Sequence, residues 1–237
     1  MFFLLMLDLA MKEFSALDIK NKLISNGIFN KHAKIYIDFL DVKSEILSKD
    51  SIGSIIQVWL EKWFKKEKIY FRTNDNTQER PDFFISKKKN TGFLEIKAFF
   101  KSPSFDIQSW NAFLNLMIKS PNHIHSDYMI FEYEIFKNKF KIKNLFLKKI
   151  WEISKPMTAS AKIKWPVNVQ YKNNEIVNLR PKNNLDEENF FKSEEEFLNA
   201  IQKTIDMYPK SNDDFKSGKW LQEVKKKYKS INNKDLF

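Results

Sequence analysis

Apolar positions along this chain follow two periods. Ile55, Ile56, Trp59, Leu60, Trp63 and Phe64 recur at helical spacing within "SKDSIGSIIQVWLEKWFKKEK". The spacing predicts a helix whose aromatic stripe is core. Gln57 and Glu61 lie four apart and share a second face of it. Upstream, "SALDIKNKLISNGIF" predicts a helix with Ser15 as N-cap, Asp18 at the third helical position and Gly27 closing it. Residues 31–48 are mixed and read as a strand or loop followed by a helical turn. Three strand-like runs come next, "KIYFRT", "PDFFIS" and "GFLEIKAFF". An aromatic helix, "FDIQSWNAFLNLM", and a strand, "YMIFEYEI", follow them. The order helix, three strands, helix, strand predicts an α/β fold with a mixed central sheet flanked by helices.

The remaining elements are a basic strand and short helix over residues 138–155, then a hairpin in "WPVNVQYKNNEIVNLRP" turning at Asn173–Asn174. Two closing helices, "SEEEFLNAIQKTIDMY" and "GKWLQEVKKKYKSI", end the chain, and "PKNNLDEEN" reads as a surface linker. No internal repeat is visible. The expected organisation is an extension over residues 1–10, a principal domain over 11–182, and a C-terminal helical part of the same domain over 183–237.

Composition narrows the chemistry. The 237 residues are 43% apolar and 15% aromatic, a globular composition with enough apolar surface for a core. Absence of Cys excludes disulfides and thiolate zinc sites, and three His cannot make a histidine-rich metal site. Four Gly leave no glycine-rich phosphate loop. The leading "MFFLLMLDLAM" is too short to span a bilayer and lacks a basic flank, so a cytoplasmic protein without membrane association is expected. A formal charge of +11 favours a polyanionic partner such as nucleic acid. Of 41 basic residues only Arg72, Arg80 and Arg180 are Arg, so a general bias toward Lys accounts for the charge equally well.

One stretch breaks the apolar pattern. Residues 80–100, "RPDFFISKKKNTGFLEIKAFF", place Asp82, Glu95 and Lys97 in segments that otherwise read as buried strands. Buried charge is costly unless paired or bound to a metal. A hairpin centred between Lys88 and Lys89 puts Asp82 directly opposite Glu95, with Cβ atoms roughly 5 Å apart. Lys97, two residues past Glu95, shares its face. Two carboxylates so placed suit Mg²⁺, which takes oxygen ligands and is completed by water and substrate phosphates. Lys97 then suits orientation of an attacking water and stabilisation of charge on phosphate. The bland alternative is a structural ion pair between Lys97 and Asp82 or Glu95. An acidic residue two before a Lys occurs five times in the chain, but only at Glu95 does it sit in an apolar run.

"PD" at 81–82 followed by "EIK" at 95–97 resembles the signature of the PD-(D/E)XK nucleases, and the element order resembles their αβββαβ core. "GSIIQVWLEKW", "NTQERPDFF", "FDIQSW", "KKIWEIS" and "WPVNVQYKNNEIVNLRP" are similar to type II restriction endonucleases of the NgoBV/NlaIV group. The resemblance covers roughly residues 12–182, making that stretch a nuclease domain with DNA-recognition elements; residues 192–230 carry nothing that matches. It implies a restriction-endonuclease-like fold with Asp82 and Glu95 as metal ligands. The Ile96 carbonyl is implied as a further ligand and Lys97 as the catalytic lysine. Glu61, or Gln57, is implied as a contribution from the preceding helix, and a GGNNCC-like target is implied as well.

Other residues suit DNA contact. Asn76 and Gln78 suit adenine edges; Arg80 suits guanine or phosphate, and Arg180 suits guanine. Polar loops account for them as readily. "KNKFKIKNLFLKK" suits phosphates or a solvated strand face. "HIH" at 123–125 lacks the His and context of a metal site. The expected function is a Mg²⁺-dependent, sequence-specific double-strand DNA endonuclease, acting as a homodimer on a palindrome beside a protective DNA methyltransferase. A related nuclease for repair or junction cleavage, or a non-catalytic DNA-binding protein, are the alternatives.

Overall fold

A computed structural model describes residues 11–45, 52–76, 79–136, 139–157 and 163–237. The expected extension over 1–10 lies outside them. In chain order the helices are α1 (Ala16–Ser25), α2 (Ile52–Lys66), α3 (Trp110–Lys119), α4 (Ile150–Ile153), α5 (Glu194–Met207) and α6 (Lys219–Asn232). The strands are β1 (His32–Ala33), β2 (Tyr36–Phe39), β3 (Val42–Glu45), β4 (Phe83–Phe84), β5 (Phe93–Phe100), β6 (Gln108–Ser109), β7 (Asp127–Phe136), β8 (Lys139–Lys149), β9 (Val169–Lys172) and β10 (Glu175–Leu179). Two compact units result, one from the described residues up to Ser102 with Asp127–Lys148, the other from Pro103–Ser126 with Lys149–Phe237.

The first unit is built on a five-stranded sheet in the order β1-β8-β7-β5-β4. β4 and β5 pair antiparallel, whereas β5 and β7 pair parallel from Leu94↔Asp127 to Phe100↔Tyr133. The sheet is therefore mixed, as the element order predicts. α1 begins with the predicted capping box: the Ser15 side chain accepts from the Asp18 amide and the Asp18 carboxylate accepts from the Ser15 amide. α2 packs on β5. Its Ile52, Ile56, Leu60, Trp63 and Phe64 are buried, and Phe64 meets Phe83 edge-on at 5.2 Å. That contact seats the strand preceding the β4–β5 turn against the helix.

Three expectations change here. "KIYFRT" makes only single bridges, Lys12↔Ile69 to the segment before α1 and Arg72↔Phe84 to the two-residue β4. Residues 36–45 form a hairpin instead of a helical turn. Leu40 and Asp41 take positive φ (49° and 61°), the geometry of a two-residue hairpin turn. Trp59 is 44% exposed and stacks on Trp63, so the aromatic stripe is not all core.

The second unit carries a three-stranded sheet, β6-β10-β9. Its β9–β10 hairpin turns at Asn173 and Asn174, both at positive φ, as predicted. The aromatic helix starts only at Trp110, because Gln108 and Ser109 are taken up in pairing with β10. Trp220 and Val224 of α6 are buried with Phe113 and Phe197, and the Trp220 indole N–H donates to the Leu114 carbonyl at 3.1 Å. The basic "KKKYK" lies on α6, whose buried side is Trp220, Leu221, Val224 and Tyr228. Among the described residues no helix is long and apolar enough to cross a membrane.

Candidate active site

The β4–β5 hairpin sets the register of the acidic pair. Phe83 pairs with Leu94 and Phe84 with Phe93, so the same register carries Asp82 opposite Glu95. The turn closes tightly. The Ile85 amide donates to the Gly92 carbonyl at 2.8 Å, and Gly92 has φ +69°. A Cβ there would lie 2.6 Å from the Ser86 Cβ and 2.7 Å from its amide nitrogen. Gly92→Ala is therefore expected to lower stability by roughly 1–3 kcal/mol, measured by urea unfolding, and to disturb the alignment of the two carboxylates.

Asp82 is half-buried, and its Oδ2 accepts a hydrogen bond from the Ile96 amide at 2.7 Å. That bond fixes the carboxylate against the β5 backbone. Glu95 is only 2% exposed. Its Oε2 lies 3.1 Å from Nη1 of Arg80, whose guanidinium also donates to the Tyr128 hydroxyl at 3.1 Å. Tyr128 reaches this position because it pairs with Glu95 across β5 and β7. The other oxygen, Oε1, is buried with no hydrogen-bond partner. Lys97 is half-buried two residues along the same strand face, close enough for its charge to act on Glu95.

Electrostatics here are dominated by burial. It pushes the Glu95 carboxyl above its usual range; Arg80 opposes this, Asp82 adds to it and Lys97 opposes it. Burial also pushes the Tyr128 phenol up, so it stays a neutral hydroxyl. For Arg80, burial works against the charge, but Glu95 with Tyr128 and Asp82 outweighs it and the guanidinium stays protonated. Arg80 is thus an internal counter-ion. Base readout would need it on an open edge, and its side chain is 15% exposed and turned onto Glu95.

The donor set fits a hard divalent cation. Two carboxylates face each other across a hairpin, and one of them presents a buried oxygen that nothing in the protein satisfies. Among the described residues no cluster of three or more His, Asp or Glu forms a metal-binding group. Glu61 does not complete one: it is paired with Lys65 at 2.6 Å, one turn along α2, and is 40% exposed. Gln57 is half-buried on the same helix. A pair of carboxylates leaves several coordination positions open, as Mg²⁺ requires.

The other candidates are dispersed. Asn76 is exposed and its amide donates to Glu79 at 3.5 Å; Gln78 lies outside the described residues. Arg180, in the second unit, is held by the Ser104 carbonyl at 2.8 Å and Asp106 at 2.7 Å. Tyr128 is the residue that sequence reasoning missed. Only the parallel register brings it to Glu95, and no spacing in the chain encodes that register.

The sequence profile of the NgoBV restriction endonuclease family matches residues 13–237. The chain is 32% identical over 238 residues to the type II restriction enzyme NlaIV of Neisseria lactamica, covering 95% of this chain and 94% of that one. It is 34% identical over 169 residues to the type II restriction enzyme NgoBV of Neisseria gonorrhoeae, covering 68% and 92%. A solved structure of the NlaIV restriction endonuclease superposes with a TM-score of 0.84 at 31% identity, over 96% of this chain and 93% of that one. The profile extends through residues 192–230, where the sequence alone offers no match.

Proposed function

This chain belongs to the NgoBV restriction endonuclease family, and from that premise we propose a Mg²⁺-dependent type II enzyme that hydrolyses both strands of DNA at a specific sequence. The observation that carries the metal reading is the buried, unpartnered Oε1 of Glu95 in a register that sets Asp82 across from it. Asp82 and Glu95 would hold the ion. The Ile96 carbonyl would be a further ligand, since an extended residue directs its N–H and C=O to one neighbour and the Ile96 N–H donates to Asp82. When bound, Mg²⁺ polarises the scissile phosphate and lowers the pKa of a coordinated water.

The protein's own groups do the positioning. The Ile96 amide fixes Asp82. Arg80, itself bonded to the Tyr128 hydroxyl, holds Glu95 by Oε2, and Oε1 keeps no hydrogen-bond partner. Lys97, on the same face, orients the attacking water and stabilises charge building on the phosphate. Lysines on β8 and the +11 net charge supply phosphate attraction without sequence information. Asn76, Gln78, Arg180 and Gln57 are the remaining candidates for base or backbone contact. A GGNNCC-like palindrome, two active sites in a homodimer, and protection of host DNA by a methyltransferase in the cytoplasm complete the reading.

Cleavage of unmethylated phage DNA by the purified protein tests it. Discrete fragments are expected with Mg²⁺ and none with EDTA, and the fragment ends report the site. A Mg²⁺-dependent smear would reject sequence specificity, and absence of cleavage at any divalent cation would reject the catalytic reading.

A further inference from the structure

We propose that Arg72 is a substrate-binding residue that clasps the DNA phosphate next to the scissile one and seats the strand on Asp82 and Glu95, an assignment that rests on reading that pair as the cleavage site. Arg72 and Phe84 form a closed antiparallel pair. The Arg72 amide donates to the Phe84 carbonyl at 2.9 Å, and the Phe84 amide donates to the Arg72 carbonyl at 2.8 Å. Residues paired in this way put their side chains on one face of a sheet. Phe71 and Phe83 belong to the core shared with α2, so Arg72 and Phe84 take the opposite face. Asp82, two before Phe84, lies on that face. Glu95 and Lys97 do too, alternating with the core residues Leu94, Ile96 and Ala98. Asp82 is thus the diagonal neighbour of Arg72, about 7–8 Å away by strand geometry.

The Arg72 side chain is held in place without being used. Its Cζ lies 4.8 Å from the centroid of the Phe84 ring, and Phe93 meets that ring edge-on at 5.8 Å. Stacking on an aromatic face holds a guanidinium while consuming none of its N–H donors. Among the described residues no hydrogen bond or ion pair takes up the Arg72 guanidinium, although Asp82 stands diagonal to it. The other two Arg are committed internally, Arg80 to Glu95 and Tyr128, Arg180 to Ser104 and Asp106. In a chain whose basic residues are otherwise Lys, Arg72 therefore presents the uncommitted fork.

Exposure and chemistry select the ligand. Arg72 is exposed, and Asp82, Phe84 and Lys97 are half-buried, so this corner of the sheet opens to solvent. Two parallel N–H donors match two non-bridging oxygens of a phosphate. The scissile phosphate belongs to the carboxylate pair. The anion in reach of a side chain one strand further out is the next phosphate of the same DNA strand. Guanine readout needs a side chain that projects into the groove, whereas Arg72 lies back on Phe84. A fork ordered before DNA arrives avoids the entropy loss that a mobile Lys incurs on binding.

Arg72→Gln tests this, with Arg72→Lys as its companion. Binding to a random-sequence duplex is followed by fluorescence anisotropy in Ca²⁺ over a range of salt concentrations. The slope of log affinity against log salt should fall by about 0.9 in Arg72→Gln, the share of one phosphate contact, and should be kept in Arg72→Lys. Arg72→Gln should bind the random duplex and a duplex of the cleaved sequence more weakly by the same factor, about tenfold. Its single-turnover cleavage at saturating enzyme should slow about 10- to 100-fold, because the scissile phosphate is no longer held in place. Arg72→Lys should recover part of that rate, since a point charge replaces the fork. The melting temperature of both variants should match the parent, because the side chain is exposed. Unchanged slope and rate in Arg72→Gln would overturn the proposal. So would a loss of affinity confined to the cleaved sequence, which marks a base contact, or a matching fall in melting temperature, which marks a structural role. A parent that binds DNA and cuts none fails the nuclease reading alone, and the salt slope on the random duplex still decides for or against Arg72.

Discussion

Lys97→Ala is expected to bind duplex DNA as tightly as the parent and to cleave it about 100- to 1,000-fold more slowly, the scale of removing one group that stabilises transition-state charge. Lys97 is half-buried, so truncation opens no large cavity and the fold should hold. Single-turnover cleavage separates the chemical step from binding, and a gel-shift titration in Ca²⁺ reads binding alone. Asp82→Ala should fall at least as far in rate. It removes a carboxylate and also the acceptor of the Ile96 amide hydrogen bond. It should additionally weaken Mn²⁺ binding measured by calorimetry without DNA, which Lys97→Ala should not. If Lys97→Ala cleaves at the parental rate, Lys97 belongs to a structural ion cluster and the catalytic assignment fails.

The second large effect is on stability. Arg80→Ala should destabilise the metal-free protein by about 3–5 kcal/mol, because it strands a buried carboxylate without its cation. The partners are 15% and 2% exposed, too deep for solvent to replace the lost charge. Tyr128→Phe should cost about 1 kcal/mol, the loss of one hydrogen bond to a guanidinium that keeps Glu95. Removing both charges, as Arg80→Ala with Glu95→Ala, should recover part of the loss, and the double-mutant cycle yields the coupling. Guanidinium unfolding followed by Trp fluorescence measures all four proteins. Equal stability of Arg80→Ala and the parent would show that Glu95 is held neutral and that Arg80 is not its counter-ion.

Much of the site can be read before any coordinates. The hairpin register follows from two apolar runs and a polar turn, and the pairing Phe83↔Leu94 agrees with it. A period of two leaves little freedom once both runs must face a core. The mixed sheet, the Ser15–Asp18 capping box and the Asn173–Asn174 turn are legible for the same reason: each depends on residues within a few positions of one another. Within residues 31–48 the alternation of "YIDFLDVKSE" spans only four residues a side, too short a run to announce the hairpin over residues 36–45 in the sequence alone.

Local order is legible in the chain alone: which segments are helix or strand, where turns fall, and that Asp82, Glu95 and Lys97 lie on one face of the β4–β5 hairpin. The partners of those charges come from packing between distant segments. Arg80 reads as an open recognition residue along the chain, but folding turns it onto Glu95. Tyr128 is brought beside Glu95 by a parallel pairing whose connection, residues 103–126, belongs to the other unit. Parallel register has no short turn to set it and depends on the packing of everything between the strands. Both units are discontinuous in sequence for the same reason, since long-range pairing answers to burial and not to chain order.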